Sequence, residues 1–244
     1  MKLISLNLEG RRHLDTALPF LEKEKADLLT LQEAPEEIVL WLKEQGYKTT
    51  FLARCLKTQD GVQYTDGEII ASKQPHQAET FYYYRPSDSI LEENLSDRRL
   101  TNAQGLIFAT VGNYKIATTH FTWHQHGEIA GVHQTTDMKT LLQYLDTKPP
   151  HVLCGDFNIP RLYNSLYSEL ISHYKDEIPK HYLSSLDRNL HKHGANEEIQ
   201  KLFDSFMVDY VFTQPPYHAT NTRLEFGVSD HAAVITTLSV DSVS

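Results

Sequence analysis

The sequence predicts an α+β chain: mixed-direction sheets covered by outer helices, folded as one domain over residues 1–244. Three observations carry this reading. Strand-like and helix-like segments intermix along the whole chain, an order that fits sheets with helices packed outside them. Turn signals such as "VGNYK" join neighbouring strands, the mark of antiparallel hairpins. No period of about 20–50 residues repeats, and no low-complexity linker divides the chain.

The elements follow in order. "KLISLNL" and "ADLLTLQEA" read as strands, with a helix between them marked by Leu14, Leu18 and Leu21. "PEEIVLWLKEQG" reads as a second helix, with Pro35 at its first position and Gly46 as its stop. "DGEIIASK", "ETFYYYR", "GLIFATV" and "YKIATTHF" are strands. A third helix is expected over residues 129–145, with Met138, Leu141, Leu142 and Leu145 on one side. "HVLCGDFN" is a strand, Leu162, Leu166 and Leu170 mark another helix, and "MVDYVFT" and "HAAVITTL" close the chain. Residues 172–204 are polar and aperiodic, a long and partly helical excursion.

Composition narrows the function. The formal charge of −9 argues against a broad basic surface that scans nucleic acid nonspecifically, without excluding a phosphate-bearing substrate. Cys55 and Cys154 stand in unlike contexts, and Cys154 inside an apolar strand reads as a buried free thiol. The N-terminus shows no secretory h-region, and no apolar run reaches membrane-spanning length. A cytoplasmic monomer is expected.

The unusual feature is polar chemistry at strand ends. Asn7 closes the first strand, Glu33 the second and His120 the strand "IATTH". Asp156 and Asn158 end "VLCGDFN", Asp209 interrupts "MVDYVF", and Asp230 and His231 open the last strand. Singly, each has an ordinary alternative. Asn7 can cap a turn, Glu33 can favour a helix N-terminus, and Asp156 with Asn158 can form an Asx-turn. Converging on one rim, they would suit a hard, oxygen-liganded cation together with acid–base chemistry.

The order Asn7, Glu33, His120, "GDFN", "VDYVF", "SDH" resembles the endonuclease/exonuclease/phosphatase superfamily, with motifs from residue 4 to residue 235. The resemblance implies a DNase-I-like four-layer α/β sandwich: two mixed, mainly antiparallel sheets face to face, helices outside, and the active site at one end. It implies a metal-dependent phosphoesterase that hydrolyses a phosphodiester or phosphomonoester. Glu33 and Asn7 would ligate Mg²⁺, with Mn²⁺ as a substitute, and Asp230 would join directly or through water. His231 would act as general base or as a charged hydrogen-bond donor, oriented by Asp209, with Asp156 as the rival base. Asn158 and His120 would donate to the phosphate. Arg161, just beyond "GDFNIP", and Arg11, Arg12 and His13 are further candidates for phosphate contact. The substrate stays open among small molecules, lipid headgroups and nucleic acids. A nuclease, or a silent binding module of the same fold, is the alternative.

Departures from the family pattern are His133 and Gln134 on the helix where relatives carry Arg and Gln, and Glu68 where relatives have a small or apolar residue. His120, His124 and His126 lack cysteine partners or a helical face, which argues against zinc.

Overall fold

The computed structural model describes residues 1–125, 127, 129–196 and 203–241. Two six-stranded sheets form its frame. The first has the order β11-β12-β1-β2-β4-β3 and the second β5-β6-β7-β8-β10-β9. Their strands are β1 (Lys2–Asn7), β2 (Leu28–Pro35), β3 (Lys48–Gln59), β4 (Val62–Ser72), β5 (His76–Tyr84), β6 (Gln104–Val111), β7 (Tyr114–His120), β8 (Val152–Asp156), β9 (Lys175–Asp176), β10 (Asp209–Thr213), β11 (Tyr217–Glu225) and β12 (Ala233–Val240).

Each sheet is built around one parallel pair, β1 with β2 and β7 with β8, and every other pairing is antiparallel. A parallel pair needs a crossover, and a helix supplies it in both cases. α1 (Leu14–Glu24) crosses between β1 and β2, and α3 (Val132–Leu145) between β7 and β8. α2 (Ile38–Glu44) and α4 (Ser165–His173) complete the outer layers. The expected four-layer sandwich is the fold observed.

Alternation along the strands assigns the faces. Ile4, Leu6, Leu29 and Leu31 pack outward against Ala17, Leu21, Ile38 and Leu42 of α1 and α2. Leu3, Leu28 and Ile70 face inward, in one cluster with Leu106, Cys154 and Val211 of the second sheet. Met138, Leu141 and Leu145 of α3 and Leu166 and Leu170 of α4 cover that sheet's other face. Polar links cross between the sheets as well, among them the Thr30 hydroxyl, 3.4 Å from Cys154 Sγ, and Gln32 Nε2, which donates to Thr118 Oγ1 at 3.1 Å. Both cysteines are free and buried, as expected for Cys154.

Some boundaries differ from the expectations. Pro35 is the last residue of β2, paired with Asp66, so the second helix starts at Ile38. α3 begins at Val132 rather than 129, and Leu162 precedes α4 instead of belonging to it. The 12-residue β3 and the 9-residue β11 were not expected at all. The excursion at 172–204 contributes the short β9 and then turns; residues 197–202 lie outside the described set, as does His126.

Candidate active site

The parallel strands β1, β2, β7 and β8 all run toward the same end of the sandwich, where their last residues meet. Asp156 is the hub. Its Oδ2 accepts from Asn7 Nδ2 at 3.0 Å and lies 3.5 Å from His120 Nε2 and 3.9 Å from His231 Nε2. Its Oδ1 accepts from the backbone N–H of Asn158 at 2.9 Å. That last bond is the Asx-turn, so the turn and the site coexist: one oxygen makes the turn and the other faces the cluster. Asn7 divides its work in the same way, because its Oδ1 accepts from Glu9 N at 3.0 Å while its amide serves Asp156.

Register explains the remaining members. Asp209 stands directly opposite Asp156 in the β8–β10 ladder, and His120 is level with Asp156 in the β7–β8 pair. His231 Nδ1 lies 2.7 Å from Asp209 Oδ2, so the carboxylate fixes the ring. Burial disfavours the imidazolium of His231. The Asp209, Asp156 and Asp230 carboxylates outweigh it and hold its pKa well above the ordinary value. Burial, reinforced by the charge of Asp209, pushes the Asp156 carboxyl up to about 7.

Glu33 enters through a backbone distortion. Strict alternation would aim it away from Gln32, toward the helices. The β2–β4 register shifts between Leu31 and Ala34, and Glu33 sits at φ +46°. Its carboxylate instead reaches Lys57 Nζ and lies 3.9 Å from His120 Nε2. Burial would raise its pKa, but the cationic side chains of Lys57 and Arg54, with His120, draw it well below the usual carboxylate range. Glu9 and Asn158 are also non-glycine residues at positive φ, +49° and +52°. Such strain persists where surrounding structure enforces it, and here it gathers around one set of side chains.

Several participants were not recognised in the sequence. Arg54 donates to His120 Nδ1, and a guanidinium can only donate, so the His120 proton resides on Nε2 and points at Asp156 and Glu33. Burial and the neighbouring Arg54 hold that imidazole well below its usual pKa. Lys57 and Arg54 also face Asp66 as ion pairs at 3.0 and 3.6 Å. Glu68, which the sequence marks as a departure from the family pattern, is fully buried, and burial pushes it up to about 8 against the pull of Arg54, so it is largely neutral at pH 7. Ser185 and Asp187 of the excursion brace the opposite side. Ser185 Oγ accepts from Asp209 N at 3.2 Å, its carbonyl accepts from Ala232 N at 2.7 Å, and Asp187 N donates to the Asp230 carbonyl at 2.7 Å. The excursion is thereby joined to both strand ends that carry Asp209 and His231.

The donor set for a cation is oxygen-rich. Glu9, His13 and Asp230 place ligand atoms within 4.8 Å of one another. Burial, with the nearby charges of Glu9 and Glu33, pushes the Asp230 carboxyl up to about 7 despite His231. Carboxylates crowded at this end, with an amide from Asn7 beside them, fit a hard divalent cation. Glu9 was missed because it follows the strand by two residues, where the sequence pattern reads as a turn.

Other candidates are held by neighbouring groups. The guanidinium of Arg161 is taken up by Asp176 at 3.0 Å and the Ile178 carbonyl at 3.2 Å, away from the cluster. Arg11 pairs with Glu37, and Arg12 lies 3.4 Å from Glu9. Asn158 Nδ2 donates to the Phe121 carbonyl at 2.9 Å. Gln134, on α3, donates to the Thr122 and Asn158 carbonyls at 2.9 and 3.2 Å and so holds the turn after β8 from behind.

No family model and no curated protein matches the chain. Solved structures do. An endonuclease/exonuclease/phosphatase from Beutenbergia cavernae superposes with a TM-score of 0.71 at 17% identity, over 98% of this chain and 71% of that one. D. rerio TDP2, solved with a single-strand DNA product, gives 0.67 at 16% identity over 98% and 99% of the two chains. A mannosyl-6-phosphatase from Bacteroides thetaiotaomicron gives 0.63 at 15% identity over 98% and 99%. This chain has the DNase-I-like, four-layer fold of the endonuclease/exonuclease/phosphatase structures.

Proposed function

We propose that the chain is a divalent-metal-dependent phosphoesterase that cleaves a phosphate ester by attack of water. The observation that carries this is the convergence on Asp156: an amide, two imidazoles and the facing carboxylate of Asp209 gather around one buried carboxylate. Glu33, Asn7 and Asp230, with Glu9 beside them, would hold Mg²⁺ or Mn²⁺, which when bound supplies Lewis-acid polarisation of a phosphoryl oxygen.

The protein's own groups divide the rest of the chemistry. Asp156, with its pKa raised toward neutrality, is the group suited to take a proton from water. His231, held protonated by three carboxylates, is suited to donate to the phosphate as a cation. His120, neutral with its proton on Nε2, offers a second donor from the same side. Asp209 keeps the His231 ring oriented and supplies the charge that sustains the imidazolium.

The test is hydrolysis of a substrate panel with Mg²⁺, Mn²⁺ or EDTA: a soluble aryl phosphodiester, an aryl phosphomonoester, inositol phosphates, DNA and RNA. Metal-dependent turnover that Asp156→Ala abolishes is the expected result. Turnover that survives Asp156→Ala on every responsive substrate would falsify the assignment.

A further inference from the structure

The proposed chemistry gives no part to Lys57, although its ammonium donates to Glu33 Oε2, an oxygen of a proposed metal ligand. Two backbone distortions make that contact. In the sheet, β2 and β3 flank β4, so Glu33 and Lys57 come from opposite sides of one strand. Strict alternation would set Arg54 and Lys57, three residues apart, on opposite faces. The β3–β4 register shifts between Ala53 and Cys55, and both cations end on the side of Asp66. The register shift in β2 brings Glu33 to the same place. Bulges in both neighbours of β4 thus serve a single ion pair.

Lys57 Nζ stands there between two carboxylates. Asp66 Oδ1 is 3.0 Å away on a fully buried side chain, while the Lys57 and Glu33 side chains are 13% and 21% exposed. Ordinary lysine basicity, with two carboxylates as partners, keeps the amine charged. A tethered ammonium in this position does two things. It neutralises Glu33, which would otherwise be a partly desolvated charge in the metal-free chain. It also occupies the oxygen that a divalent cation would use and repels that cation at short range. Glu33 Oε1 is held less firmly, 3.9 Å from the neutral His120 ring. Asp66 is already within hydrogen-bond reach, so Lys57 can leave Glu33 without losing its last partner.

Resting on the reading of Glu33 as a metal ligand, we propose that Lys57 is a built-in competitor for the metal site. Lys57 holds Glu33 Oε2 while the site is metal-free, withdraws to Asp66 when a divalent cation binds, and so keeps the affinity of the site low. Occupancy then follows the surrounding concentration of the ion, and the ion exchanges.

The test reads metal binding directly and needs no substrate. The Mn²⁺ affinity of the full chain is measured by isothermal titration calorimetry, and Tm is followed with and without the ion. Lys57→Met should bind Mn²⁺ at least about tenfold more tightly, since a unit charge this close is worth that much at a protein's effective dielectric. Its metal-free Tm should fall, and its gain in Tm on adding Mn²⁺ should exceed that of the unmodified protein. Lys57→Arg keeps the charge and should keep the weaker affinity. A merely structural ion pair predicts the lower Tm with an unchanged affinity. In the unmodified protein the Lys57 ammonium resonance, assigned by its absence from Lys57→Arg, should shift on titration with Mg²⁺. That measurement stands even where Lys57→Met does not fold. The proposal is overturned by an unchanged or weaker affinity in Lys57→Met, or by a Lys57 resonance that Mg²⁺ leaves in place. Glu33→Gln separates the two readings. If it binds Mn²⁺ as tightly as the unmodified protein, the assignment of Glu33 as a ligand has failed, and the role of Lys57 with it. If it loses binding while Lys57→Met is unchanged, the role of Lys57 alone has failed.

Discussion

Gly155, one residue before Asp156, offers the sharpest test of how the strand delivers its carboxylate. Its φ is +134°, and a Cβ built there would lie 2.0 Å from the carbonyl oxygen of Thr119 on β7. That oxygen is backbone in a central parallel pair, so it cannot rotate away as a side chain would. Restoring ordinary contact means parting β7 and β8 by more than about 1 Å, since real Cβ contacts lie beyond about 3 Å. Forcing an alanine into this conformation costs about 1–3 kcal/mol, and overpacking the strand pair adds about 1–3 kcal/mol. At about 2–4 °C per kcal/mol for a chain of this size, Gly155→Ala should lower Tm by roughly 5–20 °C. The same displacement moves Asp156 against Asn7 and His231, and a shift of that size costs on the order of 10²-fold in rate. Gly61→Ala is the control, because Gly61 has φ +77° but nothing within 4 Å of its Cβ position. Differential scanning fluorimetry and steady-state hydrolysis at 25 °C, where the variant is still folded, measure both effects. A Gly155→Ala protein with the Tm and the rate of Gly61→Ala would refute the reasoning.

Further expectations follow from the electrostatics. Asp209→Asn removes the carboxylate that does most to sustain the His231 imidazolium, so its pKa falls; activity that needs the imidazolium is lost at lower pH, and the alkaline limb of the kcat profile should move acidward while kcat drops about 10²-fold. Glu33→Gln should reduce turnover by two orders of magnitude or more and raise the Mg²⁺ concentration needed for half-activity, read from a metal titration. Glu68 has its folded pKa raised to about 8, so the stability it contributes in acid is lost as pH rises toward 8. The Tm of Glu68→Gln should therefore exceed that of the unmodified protein by a margin that grows from pH 5 to pH 8 and then levels off; a constant margin would contradict the assignment. Burial pushes both thiols, Cys55 and Cys154, up to about 12, so a thiol reagent at pH 8 should leave the native protein unlabelled and titrate two groups after denaturation.

Much of the fold was legible because its central strands are buried on both faces and read as apolar runs that end abruptly in polar residues. "VLCGDFN" is the clearest case: the alternation that turns Cys154 toward the other sheet carries Asp156 on the same face at the strand's end. β3 was not legible for the opposite reason. Its sequence KTTFLARCLKTQ mixes cations among apolar residues, and a register shift between Ala53 and Cys55 breaks the alternation that would have marked it. Arg54 and Lys57 look like solvated strand residues, yet both are inward partners of Asp66, and their role depends on a strand that pairs from elsewhere in the chain. Pro35 signals a helix start in sequence, but it sits at the bulged end of β2, where its missing N–H costs little. Glu9 and Ser185 escaped because nothing local distinguishes a turn residue that reaches into a site from one that faces water.

The hydrogen bond from Asn7 to Asp156 joins residues 149 positions apart, one from each sheet. Neither sheet holds a complete constellation by itself, since Asn7 and Glu33, with Asp230 just before β12, come from one and His120, Asp156 and Asp209 from the other. The proposed hydrolytic competence would thus be a property of the seam. It should emerge on refolding only after the two halves have closed on each other, later than backbone order within either half. It should also be the first property to fade when the seam loosens, before either sheet has lost a strand.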